Sequence, residues 1–133
     1  MAVPLTDRKC KPCRGGVAPL TRVECSTYLT ELTEWKLDGE GKCISRRYRF
    51  GEYRSALAFA IIVSDLAEET WHHPQLTLSW GFCEVSLTTR KIDGLHEFDF
   101  VMAAQIDELF TRTADGTEDR SSNHGSRNKS LNR

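Results

Sequence analysis

Residues 75–87 read QLTLSWGFCEVSL, and the period of this stretch decides the fold. Leu76, Leu78 and Trp80 alternate with Gln75, Thr77 and Ser79; after Gly81-Phe82, the set Cys83, Val85, Leu87 alternates with Glu84, Ser86 and Thr88. Two runs of period two around a Gly-x pair read as an antiparallel hairpin with one buried and one polar face, closed by a type II′ turn. Upstream, WKLDGEGKCIS at 35–45 repeats the pattern: DGEG is a turn signal, and Ile44, Tyr48 and Phe50 alternate with Ser45, Arg47 and Arg49. This predicts a second hairpin, with Arg46 as the misfit on its inner face.

The segments between and around the hairpins have helical period. Thr21-x-x-Glu24 is a capping box, Leu20 and Cys25 stand where a hydrophobic staple would close, and Tyr28, Leu29 and Leu32 continue toward an end near Trp35. From Glu52 to about Trp71, Tyr53, Leu57, Ala60, Ile61, Ser64 and Ala67 share a face that Phe59, Ile62 and Leu66 widen. So broad an apolar surface suggests burial on more than one side, against another subunit. Pro74 is expected to stop this helix by pushing the residue before it out of helical geometry. Phe98, Val101, Met102, Ile106, Leu109 and Phe110 mark a last amphipathic helix. The order α-β-β-α-β-β-α predicts an α+β fold, a four-stranded antiparallel sheet with three helices packed on one face.

Bulk properties narrow the function. A chain of 133 residues is the size of one domain. Its 18 Lys+Arg against 19 Asp+Glu give a net charge of -1, with no basic excess for gripping nucleic acid. The longest apolar run, LAFAII at 57–62, is far short of a membrane helix, and MAVPLTDRKC lacks a signal-peptide core, so a cytoplasmic location is expected. Five cysteines without a secretion signal argue for reduced thiols; Cys10 and Cys13 form a CxxC with no partner pair at zinc-site spacing, so no metal is expected. Residues 1–19 read as a Cys/Gly/Pro-rich arm, 20–113 as the folded body and 114–133 as a disordered polar tail.

Between the second helix and the second hairpin stand adjacent histidines, His72 and His73, followed by Pro74. Imidazole titrates near neutrality, so the pair is a candidate proton-transfer site, although two histidines beside a proline also describe a polar helix end. If Gly81 and Phe82 are the central turn residues, 80 faces 83, 76 faces 87 and 73 faces 90. His73 would then oppose Arg90 with Cβ atoms roughly 4.5–5.5 Å apart, and Glu68 would lie one helical turn back.

The pattern E-x3-H-H-P-x5-aromatic (Glu68, His72, His73, Pro74, Trp80), followed by T-x-K-x-x-G-L with Asp99 and a helix ending in AAQID, resembles the pterin-4a-carbinolamine dehydratases over residues 20–109. The resemblance implies a sheet-plus-three-helices fold that assembles as a homodimer or homotetramer. It also implies loss of water from 4a-hydroxytetrahydrobiopterin to give quinonoid dihydropterin, without metal or cofactor. Carried over, His72 is an acid/base residue, His73 mainly holds the pterin, and Glu68 orients or polarises. Arg90, Trp80, Thr89 and Asp99 are then expected to bind substrate. One departure is sharp: the family's third histidine falls at Arg90, which cannot accept a proton at working pH. A second is His96, where relatives carry a capping Ser or Thr, and which should weaken the last helix start without abolishing it. Loss of a catalytic histidine opens an alternative, a non-catalytic dehydratase-like protein that acts as a RuBisCO assembly factor of the α-carboxysome.

Overall fold

The structure is a computed structural model, and it describes residues 4–7 and 17–116. Three helices, α1 (Arg22–Leu29), α2 (Tyr53–Thr70) and α3 (Glu97–Thr111), accompany four strands, β1 (Lys36–Leu37), β2 (Ile44–Arg49), β3 (Gln75–Ser79) and β4 (Phe82–Leu87). The strands form one antiparallel sheet in the order β1-β2-β4-β3, so β2 and β4 pair centrally and β3 is an edge. The fold class and element order are those the periodicity predicts. The stretches expected to be an arm and a tail lie largely outside the described residues. Of the arm, Leu5 is buried in a single 3-10 turn (Leu5–Asp7) beside α3.

Period-two alternation places the inner face correctly. Ile44 and Tyr48 of β2 and Cys83, Val85 and Leu87 of β4 are buried with Phe59 and Val63 of α2 and Phe100 and Ile106 of α3 in one core. The outer face is polar: Arg47 pairs with Glu84 at 2.9 Å and lies over the Phe82 ring. Arg46, the inward misfit, is satisfied by Asp107 of α3 at 2.8 Å, and Asp107 Oδ1 also accepts from Trp35 Nε1 (3.0 Å) and the Tyr48 hydroxyl (2.5 Å). A cation inside an apolar face is tolerated only when paired and bonded, and this carboxylate supplies both.

Local signals explain the ends of the elements. Thr21 Oγ1 accepts from Glu24 N and Glu24 Oε1 from Thr21 N, the expected capping box. The helix it opens ends at Leu29, short of Trp35, because the next residues close tighter turns, among them Leu32 N to Leu29 O. In the first hairpin Asp38 Oδ1 accepts from the backbone of Lys42 and Cys43, while Gly41 takes a φ of 73°.

Three expectations are corrected. The second hairpin turns at Trp80-Gly81, with Ser79 opposite Phe82 and Gln75 opposite Ser86. The positive φ (90°) falls on the second central residue, Gly81, so the glycine sits where a type II turn needs it and not where II′ does. The shift leaves the strand side chains on their predicted faces, moves Trp80 from the inner face into the exposed turn, and removes His73 from register with Arg90: β3 begins at Gln75, and Arg90 belongs to a 3-10 turn (Arg90–Ile92) beyond β4. Nor does Pro74 end α2. Trp71 does, in the left-handed region (φ 57°, ψ 34°), with His72 N reaching back to Ala67 O in a Schellman-type closure. On α2 the buried face is Ala56, Phe59, Val63 and Ala67, while Tyr53, Leu57 and Ile61 form an exposed apolar stripe.

Burial also sets an alkaline limit. Desolvation pushes the Cys83 thiol from 9.0 to about 11, and Tyr48 is raised well above its usual value by burial and then by Asp107. A raised folded-state pKa means that the unfolded chain releases its proton first. Stability from Cys83 is therefore complete below about pH 9 and is lost toward pH 11, at about 1.4 kcal/mol per pH unit. Urea unfolding between pH 8.5 and 10.5 should show this slope, and Cys83→Ala should flatten it; an equal slope in the variant would exclude Cys83 as its source.

Candidate active site

The left-handed turn at Trp71 sends the two histidines in different directions. His72 turns inward and its Nε2 lies 2.5 Å from Asp99 Oδ1; His73 stays half exposed with Nε2 2.7 Å from Glu68 Oε2, five residues back on α2. The carboxylate orienting His72 is thus Asp99, and Glu68 serves His73.

Asp99 is fully buried. Its Oδ2 accepts from the Thr89 hydroxyl at 2.7 Å and from the backbone N–H of His96 at 3.0 Å, while Oδ1 faces His72. Three donors from three segments hold this anion, and its place in the first turn of α3 adds the favourable end of the helix dipole. Its charge is felt nearby: burial first, then the carboxylates of Glu24 and Asp99, push the Cys25 thiol up. Because an ionised carboxylate only accepts, the His72 proton belongs on Nε2, leaving the Nδ1 lone pair for chemistry.

His96 caps α3, its Nδ1 accepting from Phe98 N at 3.2 Å. The helix start expected to survive this exchange does so with a side-chain cap, an unprotonated ring nitrogen standing in for a capping hydroxyl.

Thr89 is held from both sides. It bridges to Gly94, its N–H donating to Gly94 O at 2.8 Å, and a Cβ on Gly94 would come within 2.6 Å of Pro19 Cβ, so only glycine fits this pinned loop. Arg90 follows directly, exposed, with no ion pair among the described residues. The structure thus brings His72, Asp99 and Thr89 into one chain of hydrogen bonds and places Glu68 with His73. Chain connectivity, not strand register, places Arg90 next to Thr89. Trp80 is exposed at the far end of β3, roughly 20 Å of strand from His73 within one chain. Asp99 and Thr89, expected to touch substrate, are buried and support His72. The spacing His96-x-x-Asp99, that of a capping box, is the sequence signal that could have revealed this. No group of three or more metal-ligating side chains occurs among the described residues.

The sequence pattern of the family described as "Pterin 4 alpha carbinolamine dehydratase" matches residues 18–109. The chain belongs to this family. A relative from Azoarcus sp. (strain BH72), provisionally named pterin-4-alpha-carbinolamine dehydratase, is 48% identical over 79% of this chain and 90% of its own. One from Halorhodospira halophila (strain DSM 244 / SL1), with the same provisional name, is 45% identical over 79% and 96%. Among solved structures, a transcriptional coactivator/pterin dehydratase from Brucella melitensis superposes with a TM-score of 0.65 at 26% identity, covering 68% of this chain and 97% of that one. A pterin dehydratase-like protein identified as a RuBisCO assembly factor in the alpha-carboxysome gives 0.50 at 27% identity, covering 57% and 88%.

Because Asp99 satisfies three donors at once, Asp99→Ala should cost about 2–4 kcal/mol in urea unfolding, the scale of buried polar groups left unpaired. Thr89→Val, which removes one donor and keeps the shape, should cost about 1 kcal/mol. Equal losses for the two would show that Asp99 does not anchor the cluster.

Proposed function

We propose that the protein dehydrates a 4a-hydroxytetrahydropterin, as the family's name denotes, with His72 as the principal proton-transfer group. The observation that carries this reading is the 2.5 Å contact between His72 and the fully buried Asp99. A buried anion held by three donors is an expensive way to start a helix, and what it secures is one imidazole tautomer with its other nitrogen unused.

Elimination breaks the C4a–O bond and forms the C4a–N5 double bond. A base takes the N5 proton and an acid protonates the departing hydroxyl, so that water leaves. His72 Nδ1 is the base. His73, bonded to Glu68, supplies the acid, because Arg90 at the third-histidine position can neither give nor take a proton in the working range. Arg90 instead offers fixed donors to the electronegative edge of the bicycle. No metal or cofactor is needed.

A second reading is favoured by Arg90 and by the RuBisCO assembly factor among the structural neighbours: a non-catalytic member that binds RuBisCO. An exposed guanidinium in place of an imidazole suits a protein partner's carboxylate as well as a pterin. The retained His72–Asp99 pair gives the dehydratase reading precedence, since binding alone does not require it.

Two tests follow. Arg90→His should raise the dehydration rate roughly ten-fold or more, part of the usual 10²–10⁴ of general acid/base catalysis, and His72→Ala in that background should abolish the gain. If Arg90→His stays at the uncatalysed rate and pterin does not bind, the assembly-factor reading is preferred. Further, the exposed stripe Tyr53, Leu57, Ile61 should seat a second copy, giving a homodimer or homotetramer. Sedimentation at micromolar concentration should then show a species larger than 15.1 kDa, and a monomer alone would sink this expectation.

A further inference from the structure

We propose that Trp71 is a substrate-positioning residue, an aromatic platform on which the planar pterin ring stacks beside His73; this rests on the dehydratase reading above. Three observations carry it. Trp71 holds φ 57° and ψ 34°, a region that side-chain-bearing residues rarely enter and that Asn or Gly fills most readily at a helix end. The closure of α2 therefore needs the backbone conformation and gains nothing from an indole. The indole is also 71% exposed, so the core does not need it either. Finally, its ring meets the His73 ring edge-on, with centroids 5.8 Å apart and planes at 70°.

A large apolar ring that helps neither the turn nor the core, yet touches one member of the histidine pair, has its use in what binds there. Indole faces stack well on planar nitrogen heterocycles, and such stacking tolerates variation in the polar edge of the ligand. It would leave the pterin's hydrogen-bonding edge free for Arg90. In this arrangement Trp71 contributes mainly to binding, so its loss should appear in KM and much less in kcat.

Equilibrium dialysis of the full chain with 7,8-dihydrobiopterin tests this directly. Trp71→Leu should weaken binding on the order of ten-fold, and Trp71→Phe should recover it to within about three-fold. Trp71→Asn should bind as poorly as Trp71→Leu while its melting temperature stays level or rises, because asparagine accepts the left-handed backbone. That divergence separates a ligand contact from a structural one. If Trp71→Leu and Trp71→Asn both bind as tightly as wild type, the inference is overturned and the dehydratase reading stands. If wild type neither binds 7,8-dihydrobiopterin nor dehydrates a 4a-hydroxytetrahydropterin, both fall together.

Discussion

The buried carboxylate of Asp99 is the constraint on which the rest of the site depends. An isolated anion in a protein interior is costly, and it persists here because the end of α2, the exit of β4 and the start of α3 each aim a donor at it. The dependence runs both ways. His72 is held only because Asp99 is where it is, and Asp99 is tolerable only because His72, Thr89 and the His96 backbone surround it. Such a closed set gives the imidazole one orientation without a second histidine to hold it.

The same helix carries a second carboxylate hub. Asp107 lies eight residues after Asp99, about 12 Å along the axis and roughly 80° around it. It gathers Trp35, Arg46 and Tyr48 where Asp99 gathers Thr89, His72 and His96. The two hubs divide the work: Asp107 ties the α1–β1 connection and β2 to α3 and so fixes α3 against the sheet, and Asp99 uses that fixed helix to set the histidine. Both of these inward carboxylates thus stand on one helix, α3, against which the other elements are placed.

What the sequence reveals and what it hides divide along a physical line. Faces were legible, since period-two alternation in QLTLS and FCEVSL survives any even slip in register, and Thr21-x-x-Glu24 announced its cap because both partners lie within one turn. Register was not legible. Whether glycine occupies the first or second central position of the turn is a matter of backbone dihedrals, and that choice moved His73 out of line with Arg90. The polar hubs were hidden for another reason: Trp35 and Asp107 are 72 positions apart, and nothing local marks them as partners. Asp99 fell between these cases, visible as a motif residue but assigned to the substrate when its bonds are to the protein.

Arg90 takes its meaning from the saturation of its neighbours. Asp99 is close along the chain of contacts through Thr89, yet its oxygens already serve three donors and it is sealed from solvent, so it does not neutralise an exposed guanidinium. Glu68 is engaged by His73. The cation therefore remains available, with five donors in a planar fork suited to a carbonyl edge or a carboxylate. An imidazole at that position would be a weaker and switchable donor, able to join the proton transfer; the guanidinium gives up that ability for a permanent charge. On the dehydratase reading, the exchange moves this position from acid/base work toward binding and leaves proton transfer to His72 and His73, the first of them held in place by a buried anion.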